Sequence, residues 1–162
     1  MELDLIEYDI DPTVKKQVED ILQKLVGKTS AGVVILTDDA GRIVSIKGKR
    51  KEDTESEFLA TLISGVFGAA VEMGKILSID QLEVLQYESK NMDVVIKFIK
   101  PRFLLGVIVP KSTALGTVRL FMKEAGDSLE KVLESARMVP VRELKIDIKE
   151  LEEKLNRILG GA

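Results

Sequence analysis

The chain has 162 residues, of which 45% are hydrophobic, a size at which one domain can bury its own core. It contains no cysteine and no histidine, which excludes disulfides, thiolate metal sites and the commonest general base. A net charge of −3 and an aromatic content of 4% argue against nucleic-acid binding, because neither a basic surface nor a base-stacking platform is indicated.

The N-terminus and the apolar stretches of the chain bear on its location. Residues 1–7 carry early acidic side chains and no long apolar run, which is unlike a secretory signal. The longest uncharged stretch, residues 58–71, is shorter than the roughly 20 residues that cross a bilayer. We expect a cytoplasmic protein without a membrane span, in which residues 1–11 are an N-terminal extension.

The regular structure is predicted to begin with a helix and a hairpin. Asp11 and Pro12 are typical of a helix start, and Gly27 is expected to end the helix. Apolar residues recur in it at helical spacing, namely Val14, Val18, Ile21, Leu22 and Leu25. Residues 32–37 and 42–47 are predicted to be strands, and the turn-forming residues between them indicate a β-hairpin.

The middle of the chain predicts a long helix at residues 54–77, after a polar stretch. Short polar breaks then separate three strands of an antiparallel meander, at residues 82–89, 92–99 and 103–109.

The last part of the chain predicts two more helices. Residues 112 and 113 introduce the first, whose apolar face is Leu115, Val118, Met122, Ala125, Leu129, Val132 and Ala136. Pro140 is expected to end the domain at residues 12–140, and the tail at 141–162 contains an amphipathic helix at 147–159. The order α-β-β-α-β-β-β-α predicts an α/β (α+β) fold, a five-stranded antiparallel sheet with helices on its faces.

Three patterns could carry chemistry, and each has a structural explanation. Residues 68–76 are similar to a phosphate-binding loop, but the spacing is one residue too long and Ile76 replaces the Ser or Thr that holds Mg²⁺. Asp38 and Asp39 could bind a metal, but a tight turn selects the same residues. A basic cluster could meet phosphate or an acidic partner, although a solvated loop is the commoner explanation: Lys47, Lys49, Arg50 and Lys51. We expect no catalytic residue, metal or cofactor.

The long helix is the most informative element, because residues 58–71 carry no charge on any face. A helical wheel directs one stripe toward the sheet, namely Leu59, Leu62, Ile63, Val66, Ala70, Met73 and Leu77. The opposite stripe consists of small residues, namely Thr61, Ser64, Gly65, Gly68 and Ala69.

Gly65 and Gly68 need a reason, since a glycine within a helix costs on the order of 1 kcal/mol relative to alanine. Close approach of another backbone is the natural one. That backbone could belong to the domain itself, because small residues also let its own elements pack tightly. We prefer a protein-protein interface, because the opposite stripe already supplies the core contact of this helix.

The tail helix must also bury an apolar face, because a helix of this length is marginal alone in water. The residues of this face are Ile148, Leu151, Leu155, Ile158 and Leu159. This chain, a dimer mate or another partner could cover that face.

Three stretches of the chain resemble the roadblock family of dynein light chains and GTPase regulators. They are GVVILTDDAGRIV at 32–44, FLATLISG at 58–65 and TALGTVRL at 113–120. The resemblance extends over roughly residues 12–137 and implies the roadblock, profilin-like fold. Within the family, the length and the amphipathic tail are similar to bacterial regulators of cell polarity and gliding.

The resemblance implies a homodimer that activates GTP hydrolysis by a small Ras-like GTPase, without an arginine finger of its own. The residues that it places against the GTPase are Thr61, Ser64, Gly65, Gly68 and Glu72. It implies dimerisation through the third strand, at Leu82, Val84, Gln86, Tyr87 and Ser89. It also implies that the tail contacts the GTPase away from the nucleotide and influences exchange.

Two other functions stay open. Roadblock proteins also serve as scaffolds, so an adaptor dimer that tethers partners independently of nucleotide state is the alternative. A small-molecule sensor or enzyme on such a sheet would need convergent polar groups in a pocket, and the sequence offers no obvious set.

Overall fold

The computed structural model describes residues 8–9, 11–48, 53–134, 139–140 and 148–160. In chain order the elements are β1 (Tyr8–Asp9), α1 (Pro12–Thr29), β2 (Val33–Asp38), β3 (Ile43–Gly48), α2 (Asp53–Ile76), β4 (Val84–Glu88), β5 (Met92–Ile99), β6 (Phe103–Pro110), α3 (Leu115–Glu134), β7 (Val139–Pro140) and α4 (Ile148–Leu159).

Five of the strands form one antiparallel sheet in the order β3-β2-β6-β5-β4. Strand β6 lies at its centre between β2 and β5, and all six residues of β2 are buried. Strands β3 and β4 are its two edges. The sheet and the order of the helices confirm the predicted fold class. The short strands β1 and β7 pair separately and antiparallel, a contact that two-residue segments gave no pattern to predict.

Helices α1 and α3 pack together on one face of the sheet, over the larger hydrophobic core. Their predicted apolar faces are largely confirmed, because Val18, Leu22, Leu25, Val118, Met122, Ala125 and Leu129 are buried. Val14, Ile21, Leu115 and Val132 are partly buried against the same core, and Ala136 lies outside the described residues. Leu133, which the wheel did not select, is also buried.

Helix α1 ends two residues later than predicted. Thr29 is its last residue, and its hydroxyl donates to the Leu25 carbonyl oxygen at 2.7 Å. Ser30, with a φ of 57°, adopts the left-handed conformation that terminates the helix. Gly27 was the wrong stop signal, because this glycine lies within the exposed side of the helix.

Helix α2 covers the opposite face of the sheet, through a stripe that includes the predicted Ile63 but is otherwise rotated from the prediction. Ala60, Ile63 and Phe67 are its buried apolar residues. Leu62, Met73 and Leu77, which were predicted to face the sheet, are 61%, 62% and 63% exposed. The predicted inward residues Leu59, Val66 and Ala70 are intermediate.

Packing against the sheet sets the rotation of α2. A Cβ atom at Gly106 would lie 2.8 Å from Ile63 Cδ1, so this glycine in β6 makes room for the Ile63 side chain. The Phe67 ring stacks on the Phe98 ring of β5, with 6.3 Å between centroids. A helix with no charged side has no polar stripe to fix its rotation from sequence alone.

Candidate partner-binding surface on the second helix

The solvent side of α2 is a continuous surface of small and apolar residues. Thr61, Gly65, Gly68 and Glu72 follow one another at helical spacing and are all exposed. The flanking residues Phe58, Leu62, Ala69, Met73 and Ile76 are exposed as well. We call these nine residues the α2 surface. Its large apolar members were missed, because the wheel assigned Leu62 and Met73 to the core and did not use Phe58 or Ile76.

The two glycines of this surface are not explained by packing within the described subunit. Apart from the neighbouring residues and the backbone of the helix itself, no described atom lies within 4 Å of a Cβ built on Gly65 or on Gly68. At Gly106 and Gly126, by contrast, a Cβ would meet the side chains of Ile63 at 2.8 Å and Lys97 at 2.9 Å. Tight packing against the domain's own elements therefore does not account for Gly65 and Gly68.

Ser64, predicted to face the partner, lies at the border of the α2 surface and is half-buried. Its hydroxyl donates to the backbone carbonyl oxygen of Asp39 at 2.6 Å. This hydrogen bond connects α2 to the turn between β2 and β3, 25 residues away along the chain. The structure thus brings Thr61, Gly65, Gly68 and Glu72 onto one exposed line, with Ser64 beside it.

The β2–β3 turn is organised by Asp38, whose side chain is fully buried. Its carboxylate accepts hydrogen bonds from the backbone nitrogens of Ala40, at 3.0 Å, and Arg42, at 2.8 Å. The Arg42 guanidinium Nε lies 2.7 Å from the same carboxylate. Asp38 is thus engaged in the turn. Within the described ranges, no three His, Cys, Asp or Glu residues are placed to share a metal ion.

Two polar residues of the α2 surface have partners on the helix itself. The Thr61 hydroxyl donates to the Glu57 carbonyl oxygen at 3.0 Å. Glu72 forms an exposed ion pair with Lys75 at 2.9 Å, and exposed pairs of this kind stabilise a helix only weakly. Both side chains stay accessible to a partner.

A groove of about 380 Å³ lies beside the N-terminal half of α2. Phe58, Leu59 and Leu62 form its helix side, and Met92 and Ile108 form its sheet side. The groove extends the apolar character of the α2 surface down to the sheet.

The predicted dimerisation residues lie in the edge strand β4 or next to it. Val84, Gln86 and Tyr87 lie in the strand, Leu82 precedes it and packs against the α2 core, and Ser89 follows in the turn to β5. No other described strand pairs with the outer side of β4.

The register of β4 shows which backbone groups face this open edge. Phe98 N donates to the Glu83 carbonyl oxygen at 2.9 Å, and Ser89 N donates to that of Met92 at 3.0 Å. Odd-numbered residues of this strand therefore bond to β5. The backbone N–H and C=O groups of Val84, Gln86 and Glu88 point outward, and Glu88 is an edge residue outside the predicted dimerisation set.

The tail helix α4 has the predicted apolar face in an exposed position. Leu155 is 48% exposed, Ile158 77% and Leu159 82%. The side chains of Ile148 and Leu151, and the predicted start at Asp147, lie outside the described residues. The described part of the structure provides no dock for these three side chains.

The basic cluster lies only in part within the described residues. The Lys47 ammonium lies 3.9 Å from the Glu19 carboxylate, whereas Lys49, Arg50 and Lys51 lie outside the described residues.

The prediction that no stretch is long enough to span a membrane is wrong, because residues Glu55–Ile76 are long and apolar enough to meet the criteria for such a span. A single such helix is weak evidence, since core helices of globular domains meet the same criteria, and α2 packs on the sheet through Ala60, Ile63 and Phe67.

A sheet covered by α1 and α3 on one face and by α2 on the other is the architecture of a known family. Residues 17–109 match the family model of the Roadblock/LC7 domain. The chain belongs to the Roadblock/LC7 family, whose members are generally non-catalytic adaptors or regulators. An uncharacterized protein of Aquifex aeolicus is 37% identical to it over 162 residues, which is 99% of this chain and 100% of that protein.

The chain is similar to solved structures of MglB. MglB of Myxococcus xanthus has 28% identity and a TM-score of 0.70, over 74% of this chain and 96% of that one. The gliding protein MglB of Thermus thermophilus has 21% identity and a TM-score of 0.71, over 76% and 93%. An MglB with a tetrameric arrangement has 20% identity and a TM-score of 0.71, over the same shares. The last two show the fold. The expected roadblock resemblance is confirmed.

Proposed function

We propose that this protein is a cytoplasmic, homodimeric activator of GTP hydrolysis by a small Ras-like GTPase of the MglA type, in cell polarity or motility. The α2 surface carries the proposal. It exposes Phe58, Leu62, Met73 and Ile76 around two glycines that no described contact explains. An exposed apolar face of this kind is typical of a protein interface, and the similarity to MglB structures indicates the kind of partner.

The proposed mechanism needs no catalytic group on this protein. The α2 surface contains no arginine that could serve as a finger, and the nearby Arg42 is held by the Asp38 carboxylate at 2.7 Å. A regulator of this kind acts by holding the GTPase's own residues in the hydrolytic arrangement, since phosphoryl transfer depends on positioning and electrostatic stabilisation. Gly65 and Gly68 allow a GTPase backbone to approach the helix closely.

The proposed dimer forms through β4. Its outward backbone groups at Val84, Gln86 and Glu88 can pair antiparallel with the same strand of a second copy. Such pairing places the two-fold axis perpendicular to the sheet, so that both α2 surfaces lie on the same side of a ten-stranded sheet. The two exposed helices would then form one platform for the GTPase.

The experiment is GTP hydrolysis by the cognate MglA-type GTPase, with and without this protein and a Gly68→Arg variant. We expect stimulation by the natural chain and none by the variant, because the arginine would separate the two backbones. Gly27→Arg is the matched control: Gly27 is also an exposed glycine within a helix, with no described atom within 4 Å of a built Cβ.

Unchanged hydrolysis would contradict the activator function. If this protein then bound the GTPase equally in the GTP-bound and GDP-bound forms, the adaptor function would be correct instead. An unfolded Gly68→Arg variant, detected by circular dichroism, would count against a free α2 surface.

A further inference from the structure

The β2–β3 turn lies directly against the α2 surface. A Cβ built on Gly41 would be 3.1 Å from the Thr61 Cα atom and 3.4 Å from the Ala60 carbonyl oxygen. Gly41 has a φ of 83°, which suits glycine and brings the turn backbone against the helix. With the Ser64 hydrogen bond to Asp39 one helical turn further on, the turn and the helix form a single surface.

The turn is held from three directions. The buried Asp38 carboxylate accepts hydrogen bonds from the backbone N–H groups of Ala40 and Arg42. Asp39 N donates to the Arg102 carbonyl oxygen in the β5–β6 turn at 2.9 Å, and Ser64 bonds to Asp39 from α2. The side chains of Asp39 and Ala40 are nevertheless exposed. A fixed backbone with exposed side chains presents a preorganised contact.

We infer that Asp39 and Ala40 belong to the GTPase contact, and that Ser64 is a positioning residue that holds them there. This inference rests on the proposed function. A globular partner that covers Thr61 and Gly65 must also meet the turn, because Gly41 lies so close to the helix that a Cβ built on it would be 3.1 Å from the Thr61 Cα atom. The Asp39 carboxylate is an exposed negative charge on this turn, and a GTPase segment complementary to it would carry a lysine or arginine.

The first test is Ala40→Arg, measured as the concentration of this protein that gives half-maximal stimulation of GTP hydrolysis. Ala40 contributes only its backbone to the turn, so the arginine keeps the turn hydrogen bonds and projects into the contact. We expect the concentration to rise about tenfold or more, as at a buried interface position. Gln23→Arg, an exposed position of α1 on the other face of the sheet, adds the same charge and should leave it unchanged.

The second test separates positioning by Ser64 from direct contact. Ser64→Ala removes the hydroxyl that holds Asp39, so we expect a higher half-maximal concentration with an unchanged maximal rate. Ser64→Thr retains the hydroxyl and should restore the natural value. Asp39→Lys reverses the exposed charge and should weaken binding most at low ionic strength.

The outcomes distinguish this inference from the function on which it rests. If Gly68→Arg is inactive while Ala40→Arg behaves like the natural chain, the turn is not part of the contact and only this inference is wrong. If Ser64→Ala has the natural half-maximal concentration, its positioning role is wrong. If the natural chain neither binds nor stimulates the GTPase, the proposed function fails and this inference with it.

Discussion

The Lys111 ammonium donates to the carboxylate of Asp93 at 2.7 Å, and the side chain of Asp93 is 3% exposed whereas that of Lys111 is 39% exposed. The pair joins the start of β5 to the residue that follows β6. Because an isolated buried carboxylate is costly, the fold depends on Lys111 more than the exposure of this residue suggests.

We therefore predict that Lys111→Met lowers the free energy of unfolding by about 2 kcal/mol, since it leaves a buried charge without its partner. Urea denaturation followed by circular dichroism measures the loss. The double variant Asp93→Asn with Lys111→Met should recover part of it, because the buried charge is then removed as well. A single variant as stable as the natural chain would contradict the prediction.

Alanine at Gly65 or Gly68 should separate stability from function. Neither built Cβ meets a described atom within 4 Å, so each substitution should raise the free energy of unfolding by about 0.5–1 kcal/mol. The same substitutions should weaken GTPase binding, because the added methyl group holds the partner backbone away. Denaturation and a binding titration on one preparation measure both effects. Gly27→Ala in α1 is the control, for which we expect the gain in stability without the loss in binding.

Proline at Gln86 should prevent the β4 dimer without breaking the sheet. The N–H of Gln86 points away from β5, so its loss removes no hydrogen bond within the subunit. Analytical ultracentrifugation should show a monomer, whereas circular dichroism should show a folded chain. Leu85→Pro removes an N–H that bonds to β5 and should lower the melting temperature instead. A dimer that persists in Gln86→Pro would indicate a different interface.

Removal of the tail should affect the partner and leave the domain intact. Because Leu155, Ile158 and Leu159 are exposed, a chain that ends at Arg142 should keep its free energy of unfolding within about 0.5 kcal/mol. We expect it to stimulate GTP hydrolysis but to lose any effect on GDP release, which a fluorescent nucleotide measures on the GTPase. A large loss of stability would instead show that α4 docks on this chain.

The fold was predictable because most of its elements bury one side. The apolar periodicity of α1 and α3 identified Val18, Leu22, Met122 and Leu129 as core residues, and alternating and β-branched runs located the strands. Helix α2 was recognised as a special element because residues 58–71 carry no charge on any face. For the same reason, the prediction of which residues face the sheet was only partly right. The helix is apolar all round, so only contacts with Gly106 and Phe98 decide which stripe faces the sheet.

The candidate site was predictable only in part. Gly65 and Gly68 stood out because glycine is unfavourable in a helix. The hydrogen bond of Ser64 could not be predicted, since its partner Asp39 is distant in the chain and accepts through its backbone carbonyl oxygen. The pairing of β1 with β7 was not predicted either, because two-residue strands have no periodicity.

The helices on the two faces of the sheet are buried to different extents. Helix α2 buries three apolar side chains over its 24 residues, Ala60, Ile63 and Phe67. Helix α1 buries three over 18 residues and α3 five over 20, and these two helices also pack on each other. Fewer buried contacts mean a lower free energy of local opening, so the amide protons of α2 should exchange with solvent before those of α1 and α3. Binding of the partner to the α2 surface should then slow amide exchange more in α2 than elsewhere in the fold.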